Sequence, residues 1–215
     1  MKTLFLEAKY KGKIDLKKID ACMLPLKIGL ATTVQFVDHL DDIEKTMVEK
    51  DKEISVGKGK QKYRGQVLGC DVSAASEVKD KVDAFLYIGT GQFHPIKIKL
   101  ETGKEVFVFN PVSSKFTRLD DKIVENYKKR KKGALLKFFS SKNIGILVSV
   151  KPGQNYDARK LDILENKYKD KKFYVFVADT IDYVQLENFP FVDAWVNTAC
   201  PRMEEDVTMV NISEI

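Results

Sequence analysis

Two stretches of this sequence are each written twice, in the same order. Lys27-Ile28-Gly29-Leu30-Ala31-Thr32-Thr33-Val34 returns in outline as Asn143-Ile144-Gly145-Ile146-Leu147-Val148-Ser149-Val150. Val82-Asp83-Ala84-Phe85-Leu86 returns as Val192-Asp193-Ala194-Trp195-Val196. The offsets, 116 residues from position 27 to 143 and 110 from 82 to 192, nearly agree. A repeat this long means duplicated domains, since the units of a solenoid run to roughly 20–50 residues. Each copy opens on a short, β-branched apolar run followed by a turn and a helix-like segment.

In the first copy, strands are expected at Leu26–Thr32, Glu53–Val56, Val82–Ile88 and Val106–Phe109. A helix is expected over Val37–Glu49, where Val37, Leu40, Ile43, Met47 and Val48 keep close to helical spacing. The second copy predicts strands at Ile144–Ser149, Phe173–Ala178 and Val192–Asn197. Its first helix is Asp157–Lys169, with Leu161, Leu164 and Tyr168 on one face. Asp120–Phe139 reads as a basic helix joining the copies, with Gly133 its weak point. Strands alternating with helices imply an α/β fold: two tandem homologous domains, residues 1–119 and 120–215, each a parallel sheet flanked by helices, related by pseudo-symmetry.

Such sheets bind ligands at the carboxyl ends of their strands. The loops expected there are Thr32–Gln35, Gly89–Pro95, Lys151–Gln154 and Thr198–Arg202. Two of the three cysteines stand in or near this set. Cys200 follows a strand directly, and Cys70 lies in a glycine-flanked loop that leads into the small residues Ser73-Ala74-Ala75. Each has two readings, a thiolate facing a cleft near a helix start or a small buried hydrophobe. Cys22 has an ordinary context and is expected to pack in the core. The sequence holds no Cys-x-x-Cys pair, so neither a zinc knuckle nor a ferredoxin-type or standard radical motif is present. Any cluster must collect its ligands from separate domains.

The other candidates are weaker. Gly89-Thr90-Gly91 is a fragment of a dinucleotide fingerprint without its third glycine or a helix start in register. His94, beside Pro95, is an acid, a base, a ligand or a hydrogen-bonded loop histidine. His39 is expected on a solvated helix face. Lys128-Lys129-Arg130-Lys131-Lys132 has no interleaved aromatics for stacking on bases, so a solvated linker face is expected, with docking to an acidic protein as the alternative. Phe36, Phe85, Tyr87, Phe191 and Trp195 read as packing residues.

Composition narrows the class. Of 215 residues, 44% are hydrophobic and 32% charged, which suits a soluble globular chain. The net charge is +6, from 37 basic against 31 acidic residues that are mostly interleaved. No apolar run nears the ~20 residues that span a bilayer, and Glu7 interrupts the short apolar start. Without an export signal the expected compartment is the cytoplasm, where thiols stay reduced.

Gly65-Gln66-Val67-Leu68-Gly69-Cys70, the run from Val82 to Pro95, and Val196-Asn197-Thr198-Ala199-Cys200-Pro201-Arg202 together resemble the diphthamide synthase family. Glu53–Gly59 and Ser149–Gln154 look like its second- and third-domain loops, and the resemblance runs from about Phe5 to Arg202. The resemblance implies three α/β domains about a pseudo-threefold axis, each giving one cysteine to a [4Fe–4S] cluster. Cys70 matches the second-domain ligand and Cys200 the third. It further implies that the open iron engages S-adenosylmethionine. Reduction then releases a 3-amino-3-carboxypropyl radical, which adds to a histidine of translation elongation factor 2. Thr33, Gln35, Gly91, His94, Lys151, Gln154 and Arg202 stand at matching loops and are expected to line the nucleoside and carboxylate pockets, Arg202 and Lys151 as carboxylate partners. The family's first domain would precede Met1, and Cys22 is not in its motif. A separate polypeptide is therefore expected to supply that domain and the third cysteine, in a homo- or hetero-oligomer, with no membrane or direct nucleic-acid partner. The alternatives are a non-catalytic scaffold or docking subunit of that enzyme, or a plain nucleotide-binding enzyme. The lack of a complete glycine fingerprint or P-loop speaks against the last.

Overall fold

Lys27–Thr32 forms strand β1, and every residue after Lys27 is buried, the pattern of a parallel strand covered on both faces. Strands β2 (Glu53–Ser55) and β3 (Ala84–Ile88) flank it, both parallel to it. Strand β4 (Glu105–Asn110) continues the sheet parallel to β3, and β5 (Lys115–Arg118) returns antiparallel at the edge. The order is β2-β1-β3-β4-β5. Strand β5 was not expected from sequence, because Phe116 is its one apolar residue; an edge strand needs no more. The helix expected over Val37–Glu49 begins instead as a 3-10 turn, Val34–His39, and becomes α1 (Leu40–Val48), burying Leu40, Ile43 and Met47. Helices α2 (Ser73–Val78) and α3 (Phe93–Thr102) follow, the latter closed by Gly103 in the left-handed conformation at φ 71°.

The computed structural model describes residues 4–154, 158–205 and 208–215. The chain divides into one unit up to Val124 and another from Glu125. The division falls inside α4 (Asp121–Ser140), a helix of 20 residues that runs through Gly133 without a break. Its buried residues Val124, Tyr127, Ala134 and Phe138 are three, seven and four residues apart, the spacing of one helix face.

In the second unit, β6 (Asn143–Ser149) is buried from Ile144 onward. Strands β7 (Lys172–Ala178) and β8 (Ala194–Asn197) flank it in parallel, and the short β9 (Val210–Asn211) pairs parallel with β8. The order β7-β6-β8-β9 repeats the order of the first four strands. Helix α5 (Ala158–Lys167) buries Leu164, with Leu161 and Tyr168 packed against the same core. The expected start of that helix, Asp157, lies outside the described residues.

The written repeat has a physical content visible in each unit. Gly29 pairs with Phe85 across β1 and β3, and Gly145 with Trp195 across β6 and β8. A Cβ on either glycine would come within 2.4 Å of the partner ring. The Val-Asp-Ala-aromatic motif therefore lays a ring over a glycine that must have no side chain. Just before each ring, Asp83 and Asp193 donate their backbone N–H to Lys27 and Asn143, each at 2.9 Å. No helix among the described residues is long and apolar enough to cross a membrane.

Candidate functional site

Cys70 sits on a turn tied to the carboxyl end of β1. Thr32 accepts from the Val67 N–H and donates to the Gly65 carbonyl, both at 2.8 Å, so residues 65–67 run alongside the strand end. Leu68 and Asp71 then pair antiparallel, with N–H···O bonds of 2.8 and 3.1 Å, leaving Gly69 and Cys70 as the two corner residues. The Asp71 carboxylate fixes the far side, accepting from the Ser73 N–H at 2.9 Å and the Gln61 amide at 2.6 Å. Burial alone would raise the Asp71 carboxyl, but those hydrogen bonds and the nearby Lys60 charge outweigh it and hold it below the usual range. The Cys70 thiol is exposed.

The loop after β3 packs on this turn. A Cβ on Gly69 would lie 2.1 Å from the ring of Phe93, which is 4% exposed. Gly91 has φ 75° with open space where a side chain would be. The stretch read as a Gly89–Pro95 loop ends at Gln92. Phe93, His94 and Pro95 form the first turn of α3, where a proline costs no hydrogen bond. His94 is therefore on a helix, its ring stacked 5.8 Å from Tyr87 and its Nδ1 within 3.3 Å of the Tyr87 hydroxyl. Thr33 and Gln35 follow β1 on the same side of the sheet, Thr33 half-buried and Gln35 exposed. The structure thus gathers Cys70, Gly91, His94, Thr33 and Gln35 at one end of the first sheet.

In the second unit, Cys200 follows β8. Thr198 donates its backbone N–H and its hydroxyl to the Leu147 carbonyl, at 3.1 and 2.8 Å, which ties the turn to the end of β6. Asn197 is buried, and its carboxamide accepts from the Ala199 N–H at 2.9 Å and donates to the Cys200 carbonyl at 2.9 Å. The Cys200 thiol is exposed. Lys151 and Gln154 lie in the turn after β6, closed by a 3.0 Å bond from the Gln154 N–H to the Lys151 carbonyl, with Gly153 at φ 86°. Lys151 and Arg202 are exposed and Gln154 half-buried.

The buried-hydrophobe reading fails for all three cysteines. Cys22 is exposed, on a 3-10 turn (Ala21–Met23) capped by Asp20, because its neighbours Ile19 and Leu24 take the core positions. It lines a surface cavity of about 490 Å³ with Lys17, Lys18, Lys50 and Lys52, ahead of the amino end of β1 rather than the carboxyl end. His39 is half-buried rather than solvated and donates from Nε2 to the Tyr10 carbonyl at 3.1 Å. Lys131, in the basic run, is paired with Glu214 at 2.7 Å. Phe36, Phe85 and Tyr87 are fully buried and Trp195 half-buried, whereas Phe191 remains 48% exposed. Sequence reasoning missed Asp71 and Asn197. The signal for each was a side-chain amide or carboxylate two residues from a turn N–H, the spacing of an Asx turn.

Among the described residues, no three His, Cys, Asp or Glu side chains converge on one point. The donor chemistry nonetheless suits iron–sulfur ligation: two exposed, unpaired thiols on turns fixed by backbone bonds, one in each unit.

A repeated parallel α/β chain that presents a cysteine at the strand ends of each unit is a thiol-bearing member of the open-sheet α/β class. The chain belongs to the diphthamide synthesis protein family, whose model matches residues 1–208. It is 32% identical over 184 residues to the 2-(3-amino-3-carboxypropyl)histidine synthase of Pyrococcus horikoshii, covering 84% of this chain and 52% of that one. It is 26% identical over 208 residues to subunit 1 of the same synthase from Schizosaccharomyces pombe, covering 90% and 47%. Among solved structures, it is similar to Dph2 from Pyrococcus horikoshii with a 4Fe-4S cluster, at TM-score 0.76 and 29% identity, over 89% of this chain and 56% of that one. The chain thus spans about half the length of the curated relatives it matches.

Proposed function

We propose that this chain contributes two of the three thiolate ligands, Cys70 and Cys200, to a [4Fe–4S] cluster in a 2-(3-amino-3-carboxypropyl)histidine synthase. The observation that carries the reading is the pair of exposed thiols, each on a rigid turn at the carboxyl end of its own sheet. The likeness to a cluster-bearing relative supports it. The substrate proposed is S-adenosylmethionine. One electron would break its bond from sulfur to the 3-amino-3-carboxypropyl carbon, leaving methylthioadenosine. The freed radical would add to an imidazole carbon of a histidine of translation elongation factor 2, which then gives up a proton and an electron. A cluster held by Cys70 and Cys200 would supply the electron for that cleavage.

The chain's own residues would do the rest. Gly91, whose backbone can be approached without a side chain in the way, Thr33, Gln35 and His94 belong to the loops and helix start that follow β1 and β3, at the same end of the first sheet as the Cys70 turn. Lys151, Gln154 and Arg202 belong to the turns of the second unit, with the two cations suited to a carboxylate. The third thiolate would come from outside these two units.

The test is co-production with a first-domain polypeptide under anaerobic conditions, followed by mass analysis of elongation factor 2. Modification by the wild-type complex, and loss of at least ~100-fold in rate with Cys70→Ala or Cys200→Ala, is the expected result. A complex that modifies the factor equally well with either cysteine removed, but not without this chain, would make the chain a scaffold instead.

A further inference from the structure

The Cys200 turn is held from inside the sheet. Asn197 ends β8 and is 1% exposed. Its oxygen accepts from the Ala199 N–H at 2.9 Å, and its amide donates to the Cys200 carbonyl at 2.9 Å and to the Asn211 side-chain oxygen at 2.8 Å. The orientation of the amide is forced, because a backbone N–H on one side needs an oxygen and a backbone carbonyl on the other needs an N–H. Ending the strand in an Asx turn needs the first of these bonds alone. The second fixes the backbone of the cysteine itself, whose carbonyl also accepts from the Met203 N–H at 3.1 Å.

Asn197 is braced in its turn. Asn211 stands opposite it in the β8–β9 register and is 3% exposed. The Asn211 amide reaches Glu214 at 3.5 Å, and Glu214 is paired with Lys131 of α4 at 2.7 Å. A polar chain therefore leads from the cysteine's backbone, through the sheet, to a cation of the basic helix. The exposed thiol of Cys200 therefore hangs from a backbone whose carbonyl is hydrogen-bonded to a buried carboxamide with both its amide hydrogens engaged.

We propose that Asn197 is the positioning residue for Cys200, setting the direction from which its thiolate reaches an iron–sulfur cluster. The inference rests on the cluster reading above. Two substitutions separate this role from simple strand termination. Asn197→Asp keeps the shape and the acceptor for Ala199, but faces the Cys200 carbonyl with an oxygen. Asn197→Ser keeps a hydroxyl able to accept from the Ala199 N–H and is too short to reach the Cys200 carbonyl or Asn211. The measurements are iron content, the rate of iron release to a ferrous chelator, and the low-temperature electron paramagnetic resonance spectrum of the reduced cluster. All are made on the full chain complexed with a first-domain polypeptide and reconstituted anaerobically, with Asn166→Asp on α5 as the control.

The expected result is that both variants fold and take up iron, release it about tenfold faster than wild type, and show a shifted spectrum, while the control matches wild type. Wild-type release rates and an unshifted spectrum in both variants would overturn the positioning role and leave the cluster reading standing. A wild-type complex that takes up no iron would overturn both. If neither variant folds, Asn197 is a structural residue and the proposal fails.

Discussion

A single methyl group is the smallest change that reaches the Cys70 turn. At Gly69 it would lie 2.1 Å from the ring of Phe93, a residue only 4% exposed. Gly69→Ala is therefore expected to cost about 1–3 kcal/mol by overpacking, read as a lower urea midpoint with an unchanged slope. Adding Phe93→Leu should recover part of the loss, since it removes the atoms that the methyl meets. A midpoint equal to wild type would mean that the turn and α3 do not pack as described. The glycine before Cys70 could be read in the sequence as permissive backbone, but its actual reason is a ring 24 positions downstream. Asn197 is a similar case: its spacing to Ala199 was visible, whereas Asn211 becomes its partner only through the β8–β9 register.

At the scale of elements, the β4–β5 hairpin is joined to α3 and α4 by charge. Glu105 binds Arg118 and lies 3.3 Å from Lys99, and Lys99 also reaches Asp121 at 2.6 Å. The Arg118 guanidinium is the main reason the Glu105 carboxyl lies below its ordinary value, with Lys99 adding to it against the cost of burial. A folded value below the unfolded ~4.3 gives stabilisation that is complete above that pH and is lost as the pH falls through the folded value. The groups are open to solvent, so the effect is small. Amide hydrogen exchange in β4 and β5 should accelerate in acid more than in a Glu105→Gln variant. Identical acid profiles would show that the pair contributes nothing.

Helix α4 offers a second contrast. Phe138 is fully buried with its ring 5.2 Å from Tyr168, and Leu136 is 59% exposed. Phe138→Ala should cost about 3–5 kcal/mol and Leu136→Ala less than about 0.5 kcal/mol in thermal or urea unfolding. Equal costs would contradict the assigned face. The helix was read in the sequence as a basic joining helix over Asp120–Phe139, one residue from the observed Asp121–Ser140 at each end. Helix α3 was not, because Gly89-Thr90-Gly91 and Pro95 read as loop when Pro95 in fact occupies the first helical turn, where it is tolerated. Strand β5 was hidden for a different reason, as edge pairing to β4 demands little apolar surface.

For the whole molecule, the duplicated text was the strongest guide. It foretold two parallel sheets, and the shared strand order and the paired Gly29–Phe85 and Gly145–Trp195 contacts give the repeat its physical cause. The exposure of Cys70 and Cys200 was not legible, since a free cysteine is most often buried and the bonds that anchor their turns to the sheets, Thr32 with Gly65 and Val67 and Thr198 with Leu147, join residues distant in sequence. The proposed function requires that both of these thiols ligate iron. The direct measurement is anaerobic iron and sulfide analysis of the chain complexed with a first-domain polypeptide, in wild type, Cys70→Ser, Cys200→Ser and Cys22→Ser. About four irons and four sulfides per wild-type complex, retained in Cys22→Ser and sharply reduced in each of the other two, is the predicted result. Full iron content in Cys70→Ser or Cys200→Ser would contradict it.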